Sequence, residues 1–290
     1  MDLLAFDIGG TQIKYGSVSR SGEVLSSQVV DTPRSGVDLI SCLCGIVAQQ
    51  TQPFAGIAIS TFGLVDASSG VIIGAAEAVD GYVGLSAKAE LERTFGLPVS
   101  VDNDVNCVAV AEGWRGAAQG VPHYLAVAVG TGIGGGVVIN GQIYRGHRAA
   151  AGEWGYMQID GLLWEDHASM RGLLASANLA CPNRFTNGRE VFAAYDAQDA
   201  AIGAVVQAWL KLLATGIANL IYAFNPQRVV IGGGVSGRGE VFLREINAAI
   251  EQQLLPDFKN MSEIVLASAG NHAGMIGATQ IWLQTHGSLK

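Results

Sequence analysis

Two short segments concentrate side chains that can move protons and hold phosphate. In Val101-Asp102-Asn103-Asp104-Val105-Asn106, two carboxylates and two amides share the link between an apolar strand and a helix. Asn or Asp caps a helix N-terminus well, but capping needs one such residue. Four of them suit a polar site for a polyol, with one carboxylate placed to take a hydroxyl proton as that oxygen attacks a phosphoryl group. In Asp7-Ile8-Gly9-Gly10-Thr11 the chain leaves a buried strand through two glycines, where backbone N–H groups can approach phosphate oxygens with no Cβ in the way. A strand follows, which argues against a dinucleotide fingerprint, and no Gly-Lys-Ser/Thr end is present, which argues against a P-loop. One Gly-Gly pair alone reads as a tight hairpin. Comparable turns recur at Gly130-Thr131-Gly132 and Gly232-Gly233-Gly234, and three in one chain favour a common phosphate ligand. Asp7, at the end of its strand, suits Mg²⁺ directly or through water, because this cation takes one or two carboxylates beside substrate phosphates.

A third constellation sets carboxylates beside flat rings. Glu153 lies next to Trp154 and near Tyr156 in a glycine-flexed stretch, and Glu165 lies next to Trp164. Carboxylates that accept sugar hydroxyls and rings that cover an apolar sugar face make such a pocket. Taken singly, Trp154, Tyr156, Trp164 and His167 read as core residues.

The elements that must position these groups follow from periodicity and turn residues. Strands are predicted over residues 3–7, 12–18 and 24–30 as a meander, then a helix over 37–50 and a buried strand over 56–60. A helix over 86–95, a short strand over 99–101 and a helix over 105–114 complete a first unit. The opening pattern returns 121 residues later, aligning Asp7 with Ala128, Gly9 with Gly130 and Thr11 with Gly132. This internal duplication keeps the glycines in both copies and the acid in one. A helix over 204–224, a strand over 228–231, a helix over 241–254 and a final helix after Gly274 are predicted beyond it. The loop over 180–189 is expected to be mobile.

The 290 residues allow two lobes, each with its own apolar core. Hydrophobic residues make up 49% of the chain, yet no uninterrupted apolar run approaches the roughly 18 residues of a membrane span. The net charge of −8, with no local Lys/Arg cluster, excludes a basic face for nucleic acid. The N-terminus reads as a strand and not as a signal peptide, so a soluble cytoplasmic protein is expected. Cys42, Cys44, Cys107 and Cys181 have spacings that suit neither a disulfide framework nor paired zinc ligands, and are read as reduced thiols.

In order and spacing these motifs resemble those of the repressor/ORF/kinase (ROK) family along nearly the whole chain. Asp7-Ile8-Gly9-Gly10-Thr11 with Lys14 is similar to its first phosphate motif, and Asn103-Asp104 to its catalytic pair, in which the Asp is the general base. The run from Gly130 to Gly136 is similar to its second phosphate loop, Gly232-Gly233-Gly234 to its adenosine-side turn, and the segment from Asn271 to Gly277 to the one leading into the closing helix. The resemblance implies a two-lobed α/β fold of the actin-like, ribonuclease H-like type, with duplicated mixed sheets and a cleft between them. Its lobes would span residues 1–115, completed by the C-terminal helix over 275–290, and residues 116–274. It implies a homodimer that uses ATP and Mg²⁺ to phosphorylate a hexose or hexose derivative of glucose-like ring at the 6-hydroxyl. Asn103, Glu153, Glu165 and Tyr156 fall where such a sugar would bind. Three departures stand out: Gly155-Tyr156 replaces the family's Gly-His, the Cys-rich zinc loop between the two Glu residues is missing, and the Asn-rich segment reads Ala75-Ala76-Glu77-Ala78-Val79-Asp80-Gly81-Tyr82. No zinc site is therefore expected, and the pattern is similar to the zinc-less subgroup of β-glucoside and N-acetylmannosamine kinases.

Three rivals differ in class. A sugar-responsive transcription regulator of the same family would carry a DNA-binding extension before the first phosphate strand, whereas here Asp7 lies six residues from the start. An idle sugar-binding protein would lose Asp7 or Asp104. A filament-forming actin-like ATPase would not need the polyol-type cluster at Asn103 to Asn106.

Overall fold

Alternating apolar segments pair into two sheets of matching design in a computed structural model that describes residues 1–287. In the first part of the chain, β1 (Leu3–Ile8), β2 (Gln12–Val18) and β3 (Gln28–Asp31) are followed by α1 (Gly36–Ala48) and β4 (Ile57–Thr61). The hairpin of β5 (Leu64–Asp66) and β6 (Val71–Gly74), then α2 (Ala87–Phe95), β7 (Val99–Asn103) and α3 (Asp104–Arg115), complete this part. The second part runs through β8 (Tyr124–Val129), β9 (Ile133–Ile139), β10 (Gln142–Tyr144), β11 (Gln158–Ile159) and β12 (Leu162–Leu163). Four helices follow, α4 (Trp164–Ala168), α5 (Met170–Ala180), α6 (Gly188–Asp196) and α7 (Ala200–Phe224). Then come β13 (Arg228–Gly232), α8 (Glu240–Gln253), β14 (Glu263–Leu266) and α9 (Ala273–His286).

The sheet orders are β3-β2-β1-β4-β7 and β10-β9-β8-β13-β14. In each, the first strand pairs antiparallel with the second and parallel with the one beyond. The spacing of 121 residues carries both ends of β1 onto β8 and both ends of β2 onto β9, so the duplication seen in the sequence is a duplication of structure.

Each sheet has its own apolar core. Phe6, Ile8, Leu39, Leu43, Ile59 and Val101 are buried in the first, and Leu125, Val127, Trp164, Trp209, Ile217 and Ile231 in the second. Among the described residues, α7 is the one helix long and apolar enough to cross a membrane by length and composition. Its apolar stripe of Ile202, Val206, Trp209, Leu213 and Ile217 is spent on the second core.

Two helices tie the sheets together. Helix α3 leaves the first sheet and packs Ala109 with Tyr124, Ala126 and Val138 of the second. Helix α9 returns from the second sheet to the first, where Met275, Ala278 and Trp282 cluster with Leu3, Ala5 and Ala58. They cross at Gly277, where an added Cβ would lie 1.7 Å from the Cys107 carbonyl oxygen. Residues 288–290 of the expected closing helix lie outside the described residues.

Two expectations need correction. The third strand was expected over residues 24–30 but begins at Gln28, with Val24 held only by an isolated bridge to Val18. The N–H groups of both Leu25 and Ser26 turn to the Ser17 carbonyl oxygen, a bulge that interrupts the ladder. The loop over 180–189, expected to be mobile, is a pinned corner between α5 and α6. Phe185 is buried in the second core, and the Asn178 side chain bonds the Arg184 and Phe185 N–H groups and the Phe185 carbonyl.

Candidate active site

Strand β7 runs directly into α3, and this junction sets the centre of the site. Asn103 caps the helix, its Oδ1 accepting from the N–H groups of Val105 at 2.9 Å and Asn106 at 3.1 Å. Its Nδ2 donates to the Gly63 carbonyl at 3.0 Å, which ties the cap to the β4–β5 turn. Capping therefore uses Asn103 alone, as the segment's surplus of polar groups implied. Asp104 is the first helical residue, and its Oδ1 accepts from Val105 N–H at 2.9 Å.

Asp104 forms part of the wall of two adjoining cavities. One, of about 500 Å³, is also lined by Asp7, Glu112, Gly232, Gly233, Gly234, Ser236, Gly270 and Asn271. The other, of about 550 Å³, is lined by Phe62, Glu77, Asn103, Gly130, Thr131, Gly132, Glu153, Tyr156 and Glu165. Both fall within the size range of small-molecule sites. Burial pushes the Asp104 carboxyl up to about 7, with the Asp7 and Glu153 charges adding to the rise and the Val105 N–H opposing it. Burial, and then Glu165, also raise Glu153. A base titrating near neutrality on a wall shared by two cavities is suited to proton abstraction.

Asp7 lies at the end of β1, where Ser60 Oγ donates to its Oδ1 at 2.9 Å and Lys14 Nζ stands 3.9 Å from Oδ2. Lys14 also donates to the Asn271 carbonyl at 3.0 Å, so it bridges the first turn to the segment leading into α9. An added Cβ at Gly274 would lie 2.3 Å from Asp7 Oδ1, which puts this carboxylate against the N-terminal turn of α9. Gly9, Gly10, Thr11 and Lys14 wall neither cavity, and Gly10 packs instead beside Ala78. The glycines of the second loop divide by purpose. Gly130 has open space where a Cβ would be, whereas Gly135 and Gly136 are pressed by Trp154 and Ala109 and are small for packing.

On the other side, Glu165 Oε2 accepts from Ile133 N–H at 3.2 Å, and Arg171 stands 3.6 Å from Oε1. Tyr156 is 54% exposed and faces the cavity. Trp154 and Trp164 belong to the core, the latter donating its indole N–H to Leu212 O at 3.0 Å. One further participant lies in the altered Asn-rich segment, and two escaped the sequence reading. Glu77 walls the second cavity, buried Glu112 accepts from the N–H groups of Ala117, Ser268 and Ala269, and Arg145 pairs with Asp102. Glu112 reads as one more helix residue, and Arg145 carries no local signal at all.

Known proteins resemble this chain in sequence and fold. A β-glucoside kinase of Listeria monocytogenes is 34% identical over an alignment of 304 residues that covers 98% of each chain. The ROK hexokinase of Thermus thermophilus superposes with a TM-score of 0.86 at 30% identity, over 99% of this chain and 100% of that one. A ROK glucokinase of Streptomyces griseus, solved with glucose and AMPPNP, gives a TM-score of 0.83 at 27% identity over 97% and 99% of the two chains. The two lobes are those of the actin-like fold. With the family signature matching residues 3–285, the chain belongs to the ROK family.

Proposed function

We propose that this protein is an ATP-dependent sugar kinase acting on a hexose or hexose derivative of the glucose, β-glucoside or N-acetylmannosamine type. The observation that carries this reading is the place of Asp104 on the common wall of two cavities, one bounded by Gly232-Gly233-Gly234 and the other by Glu153 and Glu165. The nucleotide lies in the first cavity and the sugar in the second. Glu153, Glu165 and Asn103 hold hydroxyls, and Tyr156 covers the mouth. Asp104 takes the proton of the attacking 6-hydroxyl as that oxygen bonds to the γ-phosphoryl group and ADP leaves.

Gly9, Gly10, Thr11 and Lys14, with Gly130, Thr131 and Gly132, are proposed to close on the phosphates from the two duplicated turns. Mg²⁺, when bound with the nucleotide, supplies neutralisation of phosphate charge, and Asp7, partly exposed on the wall of the first cavity, is the carboxylate present to hold it. The protein's share is alignment and exclusion of water, so that sugar and not solvent receives the phosphoryl group. By the family resemblance, a cytoplasmic homodimer with lobes over 1–115 and 116–274, and a closing helix from 275 that completes the first, is the proposed working form.

ADP release with Mg·ATP over glucose, cellobiose, N-acetylmannosamine, N-acetylglucosamine, fructose and allose tests the reading. Release that depends on one of these sugars is expected, and a cellobiose response would point to the β-glucoside class. Silence across the panel in a folded, ATP-binding protein would move the reading to a sugar-sensing regulator. Sugar-independent ATP turnover would move it to an actin-like ATPase.

A further inference from the structure

Asp102 is 1% exposed near the end of β7, two residues before Asp104. Its Oδ2 accepts from Arg145, with Nε at 2.7 Å and Nη2 also in contact. Its Oδ1 accepts from the Asn103 N–H at 2.8 Å and from Asn106 Nδ2 at 3.1 Å. The carboxylate thus grips the first turn of α3 on both sides of Asp104. Arg145 belongs to the other sheet's side of the molecule, one residue after β10. Its carbonyl accepts from the Ala151 N–H at 3.2 Å and closes the loop that delivers the Glu153 segment. Gly152, the next residue, has φ +99° and would place a Cβ 2.2 Å from the Gly135 carbonyl, so the chain enters Glu153 on a fixed course.

One arginine therefore holds the junction bearing Asp104 with its side chain and the segment bearing Glu153 with its backbone. With Asp102 buried and Arg145 partly exposed, desolvation of the carboxylate offsets much of the attraction, so the pair is a poor source of stability. Its geometry has value where two elements must keep a fixed offset, and misplacement of reacting groups by about 1 Å can cost about 10²-fold in rate. We propose that Asp102 and Arg145 are a positioning pair that fixes Asp104 against Glu153 across the cleft, so that productive sugar binding depends on the pair and nucleotide binding does not. The proposal rests on the sugar kinase reading of the cleft.

The test compares R145M, R145K and D102N with the parent protein. Michaelis constants are measured separately for ATP and for glucose or cellobiose, alongside thermal unfolding. The expected result for R145M and D102N is a sugar KM at least tenfold higher, a lower kcat and an ATP KM within twofold. R145K, which keeps the charge but loses the forked two-point contact, is expected to recover the melting temperature more fully than the sugar KM. A pair that merely stabilises the fold would lower the melting temperature and leave both constants unchanged, which overturns the proposal, as does an equal rise in both. Should R145M not fold, an unchanged sugar KM in R145K and D102N overturns it equally. A parent protein silent with both sugars counts against the kinase reading instead. Calorimetry with glucose then reads the pair without turnover: weaker binding in R145M supports it and equal binding overturns it.

Discussion

The turns after β1 and β8 are copies 121 residues apart, yet the strand entering one carries Asp7 and the strand entering the other Ala128. Both leading glycines close their turns, in different registers: Gly9 N–H donates to the Gln12 carbonyl three residues on at 2.9 Å, and Gly130 N–H to the Gly132 carbonyl two residues on at 3.0 Å. Duplication preserved the paired strands and the glycines between them, and left the carboxylate to the first copy. The junctions after the third parallel-side strands diverge too. β7 runs into α3 with its carboxylates and amides, whereas β14 runs into residues 267–272, whose Ser268 and Ala269 N–H groups bond Glu112 of α3. One half of the molecule carries Asp7 and Asp104 to the two cavities, and the other carries Gly232 to Gly234 to one and Glu153 and Glu165 to the other.

The sharpest way to break this division of labour is Asp7→Ala. A fall in kcat of about 10²–10³-fold, with sugar KM within a fewfold, is expected if this carboxylate serves the phosphates alone. Steady-state kinetics with varied Mg²⁺ checks it, and an unchanged kcat would mean that the two turns are equivalent after all.

A smaller effect separates glycines kept for packing from those kept for access. Gly277→Ala forces a Cβ into the Cys107 carbonyl at the α3–α9 crossing and should cost more than about 2 kcal/mol in chemical denaturation. Gly130→Ala has open space and should cost less than about 1 kcal/mol, while raising the KM for ATP.

Smaller still are the effects of pH. With the Asp104 carboxyl near 7, kcat/KM should fall about tenfold per unit below that pH and level off above it. In Asp7→Ala the inflection should move to lower pH, since the Asp7 charge contributes to the rise. Linkage gives the matching stability effect. The raised folded value means that the native state holds this proton between about 4 and 7 while the unfolded chain does not, so stability is lost as pH rises through that window. Asp104→Asn has no such proton to lose and should be more stable than the parent by roughly 1–3 kcal/mol at pH 8, with no difference near pH 3.5. Urea midpoints at the two pH values check the sign.

Periodicity and glycine punctuation made the long elements legible. β1, β2, α2, α7 and α8 fall within a few residues of their predicted limits, because each is a continuous apolar run or stripe bounded by turn residues. The hairpin β5–β6, the edge strand β14 and the helices α4 to α6 were missed. They are short, and their form is set by contacts with distant residues, as when Trp209 reaches back to the Ser169 carbonyl at the start of α5. Asp104, Glu153 and Glu165 were legible because several polar groups crowded a short stretch, more than capping or packing needs. Glu112 and Arg145 were not, since only the fold brings them to their partners. Within the run from Gly130 to Gly136, the packing role of Gly135 and Gly136 against Trp154 and α3 was not legible, since those partners lie far along the chain or on another element.

The most direct test of Asp104 as the base is turnover by Asp104→Asn set against its sugar affinity. ADP release with the best sugar of the panel should fall at least 10³-fold, while calorimetric affinity for that sugar stays within about threefold. Turnover within tenfold of the parent would contradict the assignment.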